Sequence, residues 1–152
     1  MGNLELDFAF EIVAELSAPL DNGPGRHGHR RINPIVGGSV TGPQLNGRVL
    51  PGGADYEWVR TDGCSVLQAH YTMEATDGTP IYIRNNGLFI ASTEILRRVD
   101  EGEAVEDDLY YFRCSPIFEA PEGKHGWLSD RIFVGKGIFK QSHVIIKVFQ
   151  VL

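Results

Sequence analysis

The segment from Leu4 to Leu16 constrains the fold of this chain more than any other part of the sequence. Every even position in it is apolar, and most of the odd positions are acidic. The acidic residues are Glu5, Asp7, Glu11 and Glu15. This alternation has the two-residue period of a β-strand with one buried side and one solvent-facing side. We therefore predict a long, half-buried first strand.

Turn signals divide most of the remaining chain into further strands. The dipeptides Asp62-Gly63 and Asp77-Gly78 are hairpin signals, and two of them in succession favour a β-meander. We predict further strands within residues 32–36, 39–41, 45–50, 55–60, 65–75, 81–85, 109–120, 130–140 and 143–152. Residues 17–31 are rich in Gly, Pro and Asn and contain a basic cluster, so we predict a long mobile loop there.

Helical periodicity occurs only at residues 92–101, where Ser92 or Thr93 can serve as the N-cap. One short surface helix beside roughly eight or nine strands predicts an all-β fold, either a closed antiparallel barrel or a sandwich. We favour an up-and-down barrel of the calycin or lipocalin type, because residues 143–152 can pair with the first strand and remove both sheet edges. The whole chain, 1–152, is predicted to form one domain with room for one small ligand.

Charge and composition exclude several classes of partner. The net charge of −6, from 14 basic and 20 acidic residues, opposes binding to nucleic acid, which requires many basic contacts with phosphates. The acidic residues of the first segment also exclude a membrane span there. The N-terminus lacks the basic region and unbroken apolar core of a secretory signal, so a cytoplasmic location is expected.

No motif indicates a metal or a cofactor. Cys64 and Cys114 are far apart and lack CxxC spacing, so buried, reduced thiols are the favoured interpretation, with a disulfide left open. GPGRHG at 23–28 has the letters of a dinucleotide motif but no preceding strand of a βαβ unit. The histidines are dispersed, so we predict no metal site and no cofactor.

Polar and aromatic side chains from four neighbouring segments form the candidate site. They are Asp55, His70, Tyr71, Tyr82, Arg84, Tyr111 and Arg113. Together they offer an acid/base group, phenols and fixed cations, the groups needed to ionise or polarise a carbonyl compound. The alternative is that the arginines pair with surface carboxylates and the tyrosines form barrel wall. The sequence leaves open which polar strand face points into the barrel.

Asp55 admits two interpretations. An aspartate directly after Gly52-Gly53 often closes a turn by accepting hydrogen bonds from nearby backbone N–H groups. If the side chain instead points inward, desolvation would raise its pKa and suit it for proton transfer. The residues alone slightly favour the turn.

The ordered motifs of the chain resemble one known family. The chain contains, in this order, NPIVGG, GPQLNGRVLPGGADYEWVR, LQAHYTMEATDGTPIYIRNNG and YFRCSPIFEAPEGKHGWLSDRIFVGKG. This series, which spans nearly the whole sequence, resembles domain of unknown function 3237, also called uncharacterised protein family 0311. The resemblance implies a small calycin-like β-barrel. Its motifs concentrate at the GGAD segment, Tyr71, Arg84 or Asn85, Arg113 and Trp127, which favours a pocket role for Asp55.

The leading functional hypothesis is a cofactor-independent enzyme. It would hold a small, partly hydrophobic, carbonyl- or phenol-bearing metabolite for acid/base isomerisation, cyclisation or hydration/dehydration, as some barrels of this general shape do. Asp55 would transfer the proton, and Arg113 and Arg84 would stabilise an enolate or carboxylate. Tyr71 or His70 would donate a hydrogen bond. The substrate-binding residues are predicted to be Trp58, Tyr82, Arg84, Tyr111 and Trp127.

Two alternatives belong to other functional classes. The first is a non-catalytic barrel that carries or senses such a metabolite. The second is a protein-interaction module that uses residues 17–31. Homo-oligomerisation also stays open.

Overall fold

The alternating first segment forms strand β1 (Leu6–Leu16). In the computed structural model, which describes residues 2–152, Phe10 and Ile12 are fully buried, whereas Glu15 is exposed. From Phe10 onwards the alternation corresponds to an inner and an outer face of the strand, as the two-residue period predicts. An irregularity in the register between Phe8 and Phe10 leaves the apolar side chains of Leu6 and Phe8 exposed.

Residues 2–152 contain nine further strands and one α-helix. The strands are β2 (Leu20–Gly25), β3 (Gly28–Thr41), β4 (Gly47–Val49), β5 (Gly53–Val59), β6 (Ser65–Ala75), β7 (Pro80–Ile90), β8 (Tyr111–Glu119), β9 (Phe133–Phe139) and β10 (His143–Val151). Helix α1 (Thr93–Asp100) begins after Ser92, whose Oγ accepts a hydrogen bond from the Ile95 backbone N–H at 3.2 Å. Short 3-10 turns lie at Asp107–Leu109 and Gly126–Asp130. The predicted surface helix is confirmed.

The strands close into an antiparallel barrel. From β5 to β10, consecutive strands pair in order along the chain, and β1 pairs with β10 on one side and with β3 on the other. β4 and β5 lie end to end along β3 and share one position, so eight positions form the barrel wall. The prediction of a closed up-and-down barrel is confirmed, including its closure by the first and last strands.

The prediction of a mobile loop at residues 17–31 is wrong. β2 and the first part of β3 form a hairpin, and β5 pairs along the other side of that part of β3. The Asp21 carboxylate accepts a hydrogen bond from the Gly23 N–H at 2.7 Å, and the Trp58 indole N–H donates to the His27 carbonyl near the hairpin turn. Ladder pairing to distant residues thus orders a segment whose Gly and Pro content indicated a loop.

The separately predicted strands at 32–36 and 39–41 are parts of one strand, β3. Gly38 lies within it at φ 139° and passes so close to β1 that a Cβ atom would lie 1.8 Å from the Val13 carbonyl oxygen. A glycine is therefore required where these two strands cross closely.

Large side chains fill one end of the barrel. The Phe10 and Phe118 rings meet edge to face with centroids 5.5 Å apart, and Phe118 and Phe133 meet in the same way at 5.0 Å. Ile81 and Ile83 are fully buried as well. The other end is lined by smaller and polar side chains that leave a cavity. Among residues 2–152, no helix is both long enough and apolar enough to span a bilayer.

Candidate active site

The open end of the barrel encloses a cavity of about 320 Å³. Aromatic and aliphatic side chains make up much of its lining, and Leu96 and Val99 of α1 complete it. The other apolar lining residues include Phe89, Phe112, Phe139, Val144 and Ile146. A volume of this size is in the range of small-molecule sites.

Inward-facing side chains of β3, β5, β6 and β7 form a polar wall on the cavity. Asn33 pairs with Asp55, Asp55 with Ala69, and Ala69 with Asn85, so these four residues form one row across the sheet. Arg31 and Glu57 form a second row next to it. The register therefore brings together residues that are more than fifty positions apart in sequence.

Asp55 faces the cavity from within β5. Its Oδ1 atom accepts a hydrogen bond from the Gln68 backbone N–H at 3.1 Å. Burial and the nearby Glu57 carboxylate raise the pKa of Asp55 to about 7, although hydrogen bonds from the Gln68 N–H and the Asn33 amide oppose the rise. Both protonation states are therefore populated at neutral pH, so this carboxyl can act as a base or as an acid.

Glu57 and Arg31 form an ion pair beside Asp55. The Arg31 Nε atom lies 3.2 Å from Glu57 Oε1, and Arg31 Nη2 donates to Glu57 Oε2 at 3.3 Å. The Asn33 Nδ2 atom donates to the same carboxylate at 3.3 Å. The pair fixes one cation and one anion at the cavity wall.

Tyr71 lies beside Asp55 because Gly53 leaves room for it. A Cβ atom on Gly53 would lie 2.4 Å from the Tyr71 Cβ atom, so a larger residue in the GGAD segment would displace the tyrosine. Burial, together with the charges of Cys114 and Asp55, raises the pKa of Tyr71 above its usual value. The phenol therefore stays protonated and can donate a hydrogen bond into the cavity.

Asn85 and Cys114 continue the cavity wall on β7 and β8. Asn85 is buried, and its Oδ1 atom has no hydrogen-bond partner among residues 2–152. Burial raises the pKa of Cys114 to about 11, so this residue is a thiol and not a thiolate at neutral pH. Cys64 and Cys114 are both buried and free.

Most of the other predicted site residues lie on the outer face of the barrel. These residues are His70, Tyr82, Arg84, Tyr111 and Arg113, and none of them lines the cavity. His70 Nδ1 and the Tyr82 hydroxyl are 2.7 Å apart, and Arg84 Nε lies 3.8 Å from Glu119 Oε1. The Arg113 guanidinium lies 5.4 Å from the centre of the Tyr111 ring.

The predicted grouping is therefore corrected. Successive residues of a strand point to opposite faces, so His70 and Tyr71 cannot both face inward. In the observed register His70 pairs with Arg84 and Leu88 pairs with Arg113, which places both arginines on the outer face with His70. Of the residues predicted to be catalytic, only Asp55 and Tyr71 line the cavity.

The two tryptophans also lie outside the cavity lining. Trp58 faces away from the cavity on β5 and contacts the turn of the β2–β3 hairpin, where its indole N–H donates a hydrogen bond to the His27 carbonyl. The Trp127 ring packs against Phe133, with centroids 5.8 Å apart, near the filled end of the barrel. Both contacts support the fold.

The polar wall includes residues that the sequence did not bring into the site. Glu57 follows from Asp55 by strand alternation alone, since residues two apart share a face. Arg31 falls in the segment predicted as a loop, and its pairing with Glu57 depends on a long-range register. Within residues 2–152 no group of three or more His, Cys, Asp or Glu side chains is arranged to hold a metal ion.

Comparisons with known proteins agree with the fold. A family model described as "Protein of unknown function (DUF3237)" matches residues 4–151. A UPF0311 protein of Rhodopseudomonas palustris is 38% identical over 149 residues, which cover 98% of this chain and 97% of the relative. The crystal structure of that protein, described as a conserved protein of unknown function, covers all of both chains at 37% identity with a TM-score of 0.96.

Two more distant crystal structures have the same architecture. A protein of Acinetobacter baumannii described as β-barrel-like is 29% identical, with a TM-score of 0.86 and coverage of 100% of this chain and 98% of its own. A protein described as an enzyme from Penicillium herquei is 17% identical, with a TM-score of 0.74 and coverage of 100% and 97%. The second likeness concerns the fold alone.

Proposed function

This chain belongs to the DUF3237 family of proteins of unknown function, and from the chemistry of its cavity we propose that it is a cofactor-independent enzyme. Its substrate is a small, partly hydrophobic compound that bears a carbonyl or phenol group. The reaction is an acid/base isomerisation, cyclisation or hydration/dehydration. One observation carries the proposal: the Asp55 carboxyl, with a pKa of about 7, faces a cavity with a largely apolar lining.

In the proposed reaction Asp55 takes a proton from a C–H or O–H bond of the substrate. For a ketone, the electron pair of the broken C–H bond forms a C=C bond, the π pair of the C=O bond moves to the oxygen, and an enolate results. Asp55 then returns the proton to the same or another carbon, so the step needs no oxidant, reductant or cofactor. A carboxyl with a pKa near the working pH is suited to both transfers.

Tyr71 and Arg31 supply the stabilisation of the developing oxyanion. The Tyr71 phenol, kept neutral by burial, is a hydrogen-bond donor beside Asp55. Arg31 contributes a positive charge to the same wall, although Glu57 partly neutralises it. These residues take the role that the sequence suggested for Arg113 and Arg84. Donors already fixed in a site that excludes water stabilise an oxyanion more strongly than water does.

Glu57 makes Asp55 a stronger base. Its carboxylate is the charge that, after burial, contributes most to the raised pKa of Asp55. The Penicillium herquei protein, which shares this fold, is described as an enzyme, so the fold is compatible with catalysis. That likeness is a precedent for the fold and carries no information on substrate.

Hydrogen–deuterium exchange tests the proposal without knowledge of the natural substrate. 2-Tetralone, a two-ring ketone with acidic C–H bonds beside its carbonyl, would be incubated with the protein in D₂O and followed by NMR. We expect the wild type to accelerate exchange at these carbons. Asp55→Asn keeps the shape of the side chain and should lower the rate by about 100-fold or more, the usual contribution of a general base.

The matched control is Asp7→Asn, which alters an exposed carboxylate on β1. This variant should exchange 2-tetralone at the wild-type rate. Exchange by the wild type no faster than in buffer, or exchange unchanged in Asp55→Asn, would contradict the proposal. Binding of 2-tetralone without exchange would assign the barrel to the class of carriers instead.

A further inference from the structure

One buried polar atom on the cavity wall lacks a partner. Among residues 2–152, the buried side-chain nitrogen and oxygen atoms without a hydrogen bond are Arg31 Nε and Asn85 Oδ1, and both residues line the cavity. Arg31 Nε lies 3.2 Å from a Glu57 carboxylate oxygen, so its charge is balanced. Asn85 Oδ1 has no comparable neighbour. Because buried polar groups almost always have hydrogen-bond partners, this oxygen is an acceptor that a ligand in the cavity would satisfy once the amide turns towards it.

The orientation of the Asn85 amide explains why its oxygen is the end left over. The amide lies beside the Cys114 side chain and holds the pKa of this thiol down against the effect of burial. An effect of that sign comes from the Nδ2 end, the donor of the amide, and leaves the oxygen as its free acceptor. The terminal torsion of an asparagine is soft, so a small rotation turns the oxygen towards the cavity.

The strand register fixes the position of Asn85 relative to Asp55. The two residues belong to one inward-facing row, with Ala69 between them. Two strand spacings separate their Cα atoms by roughly 10 Å. Since Ala69 has only a methyl side chain, a ligand can lie over it and contact both polar groups. A ligand of about one or two rings would be long enough to contact Asn85 at one end and Asp55 at the other.

The neighbouring wall favours a flat ligand. Phe89 lies beyond Asn85 and Gly87 on the inner face of β7, and its ring packs against Phe112 at 5.6 Å and Phe139 at 6.1 Å between centroids. All three residues line the cavity. A cluster of aromatic rings held by each other offers a preformed apolar surface on which a planar skeleton can stack.

We propose that Asn85 is a substrate-binding residue that accepts a hydrogen bond from a hydroxyl group of the substrate. The substrate class is accordingly a flat compound of one or two rings, with a hydroxyl donor at one end and the reacting position near Asp55 at the other. This inference rests on the proposed function for the reaction at Asp55, but the binding of the hydroxyl is testable without turnover.

Two probes that differ only by a methyl group in place of the hydroxyl hydrogen test the inference. 2-Naphthol can donate a hydrogen bond, whereas 2-methoxynaphthalene has the same ring system and cannot. Their dissociation constants would be measured by ligand-observed NMR on the wild type, on Asn85→Leu and on the control Asp7→Asn. We expect the wild type and the control to bind 2-naphthol about 10-fold more tightly than 2-methoxynaphthalene, in line with one buried hydrogen bond. Asn85→Leu should bind both probes alike.

The remaining outcomes would overturn the inference. They are equal affinity of the wild type for the two probes, tighter binding of 2-methoxynaphthalene, no binding of either probe, and a preference that survives in Asn85→Leu. If Asn85→Leu does not fold, the shifts of the Asn85 side-chain NH₂ and Ala69 methyl signals in the wild type decide. Addition of 2-naphthol should move both, and 2-methoxynaphthalene should leave the Asn85 signals unchanged.

The two proposals can fail separately. A preference for 2-naphthol that depends on Asn85, together with no exchange of 2-tetralone, would retain the hydroxyl site and reject the enzyme. Exchange that depends on Asp55, together with equal affinity for the naphthalene probes, would retain the enzyme and reject the role of Asn85.

Discussion

The inner and outer faces of strands β5 to β8 carry similar chemical groups in different environments. The outer face has His70, Tyr82, Arg84 and Arg113, and the inner face has Asp55, Glu57, Tyr71 and Asn85. On the outer face, Arg84 and Glu119 pair with both side chains about half exposed, so water screens their charges. On the inner face, burial raises the pKa of Asp55 to about 7. The environment, more than the residue type, separates a candidate site from a polar surface.

The largest expected effect is on the pH dependence of stability, to which the buried Asp55 and the exposed Asp7 should contribute differently. The pKa of Asp55 is raised on folding, so the folded state holds a proton that the unfolded state loses above about pH 4. Stability therefore falls as pH rises from 4 to 7 and levels off above 7. Asp55→Asn should remove this loss and be about 2–4 kcal/mol more stable than the wild type at pH 8.

Urea denaturation at pH 4 and pH 8 would measure this difference. Asp7→Asn, which alters an exposed carboxylate near the start of β1, should follow the wild type at both pH values. If the difference in stability between the wild type and Asp55→Asn is the same at pH 8 as at pH 4, Asp55 is not desolvated.

The inner and outer ion pairs should also differ in stability. Arg31→Met leaves Glu57 partly buried without its cation, and we expect a loss of roughly 2 kcal/mol, below the value for fully buried pairs because Arg31 is partly exposed. Arg84→Met breaks the outer pair with Glu119 and should cost less than about 1 kcal/mol. Urea midpoints at pH 7 give both values. Equal losses would remove the distinction between the faces.

Glu57→Gln would test whether the Glu57 carboxylate raises the pKa of Asp55. Removal of the neighbouring negative charge should lower the pKa of Asp55, since Glu57 raises it. The pH profile of 2-tetralone exchange should then shift to lower pH by about one unit, and the maximal rate should fall because a weaker base remains. An unchanged profile, or a shift to higher pH, would contradict Glu57 as a cause of the raised pKa of Asp55.

The smallest expected effects are on the outer face. Arg113→Ala and His70→Ala should change the rate of 2-tetralone exchange by less than about 2-fold, because neither side chain lines the cavity. Exchange measured at equal concentrations of folded protein tests this. A 100-fold loss of exchange rate in either variant would show that the substituted residue belongs to the catalytic site.

The sequence predicts the parts of the fold that depend on local patterns. Alternation identifies β1, the two Asp-Gly dipeptides identify the hairpins on both sides of β6, and Ser92 identifies the start of α1. The first half of β3 was missed because its order comes from pairing with β5, which local composition does not reveal. Gly and Pro in that segment indicate a loop until the partner strand is known.

The sequence is less informative about the site because the face of each strand depends on register. Asp55 and Tyr71 were predicted together with His70, although adjacent residues of a strand face opposite sides. Alternation alone could have excluded either Tyr71 or His70, and it could have added Glu57. Choosing between the inner and outer sets requires the pairing of Asp55 with Ala69, which only the folded chain provides.

The proposed chemistry depends on Asp55 being a desolvated acid/base group in the barrel cavity. A ¹³C NMR titration of its side-chain carboxyl, assigned by comparison with Asp55→Asn, measures its pKa. We expect a midpoint at about pH 7, with the resonance of the protonated form still dominant at pH 5. A midpoint near 3.8, the value of an ordinary aspartate, would show that Asp55 is solvated and is not the proposed acid/base group.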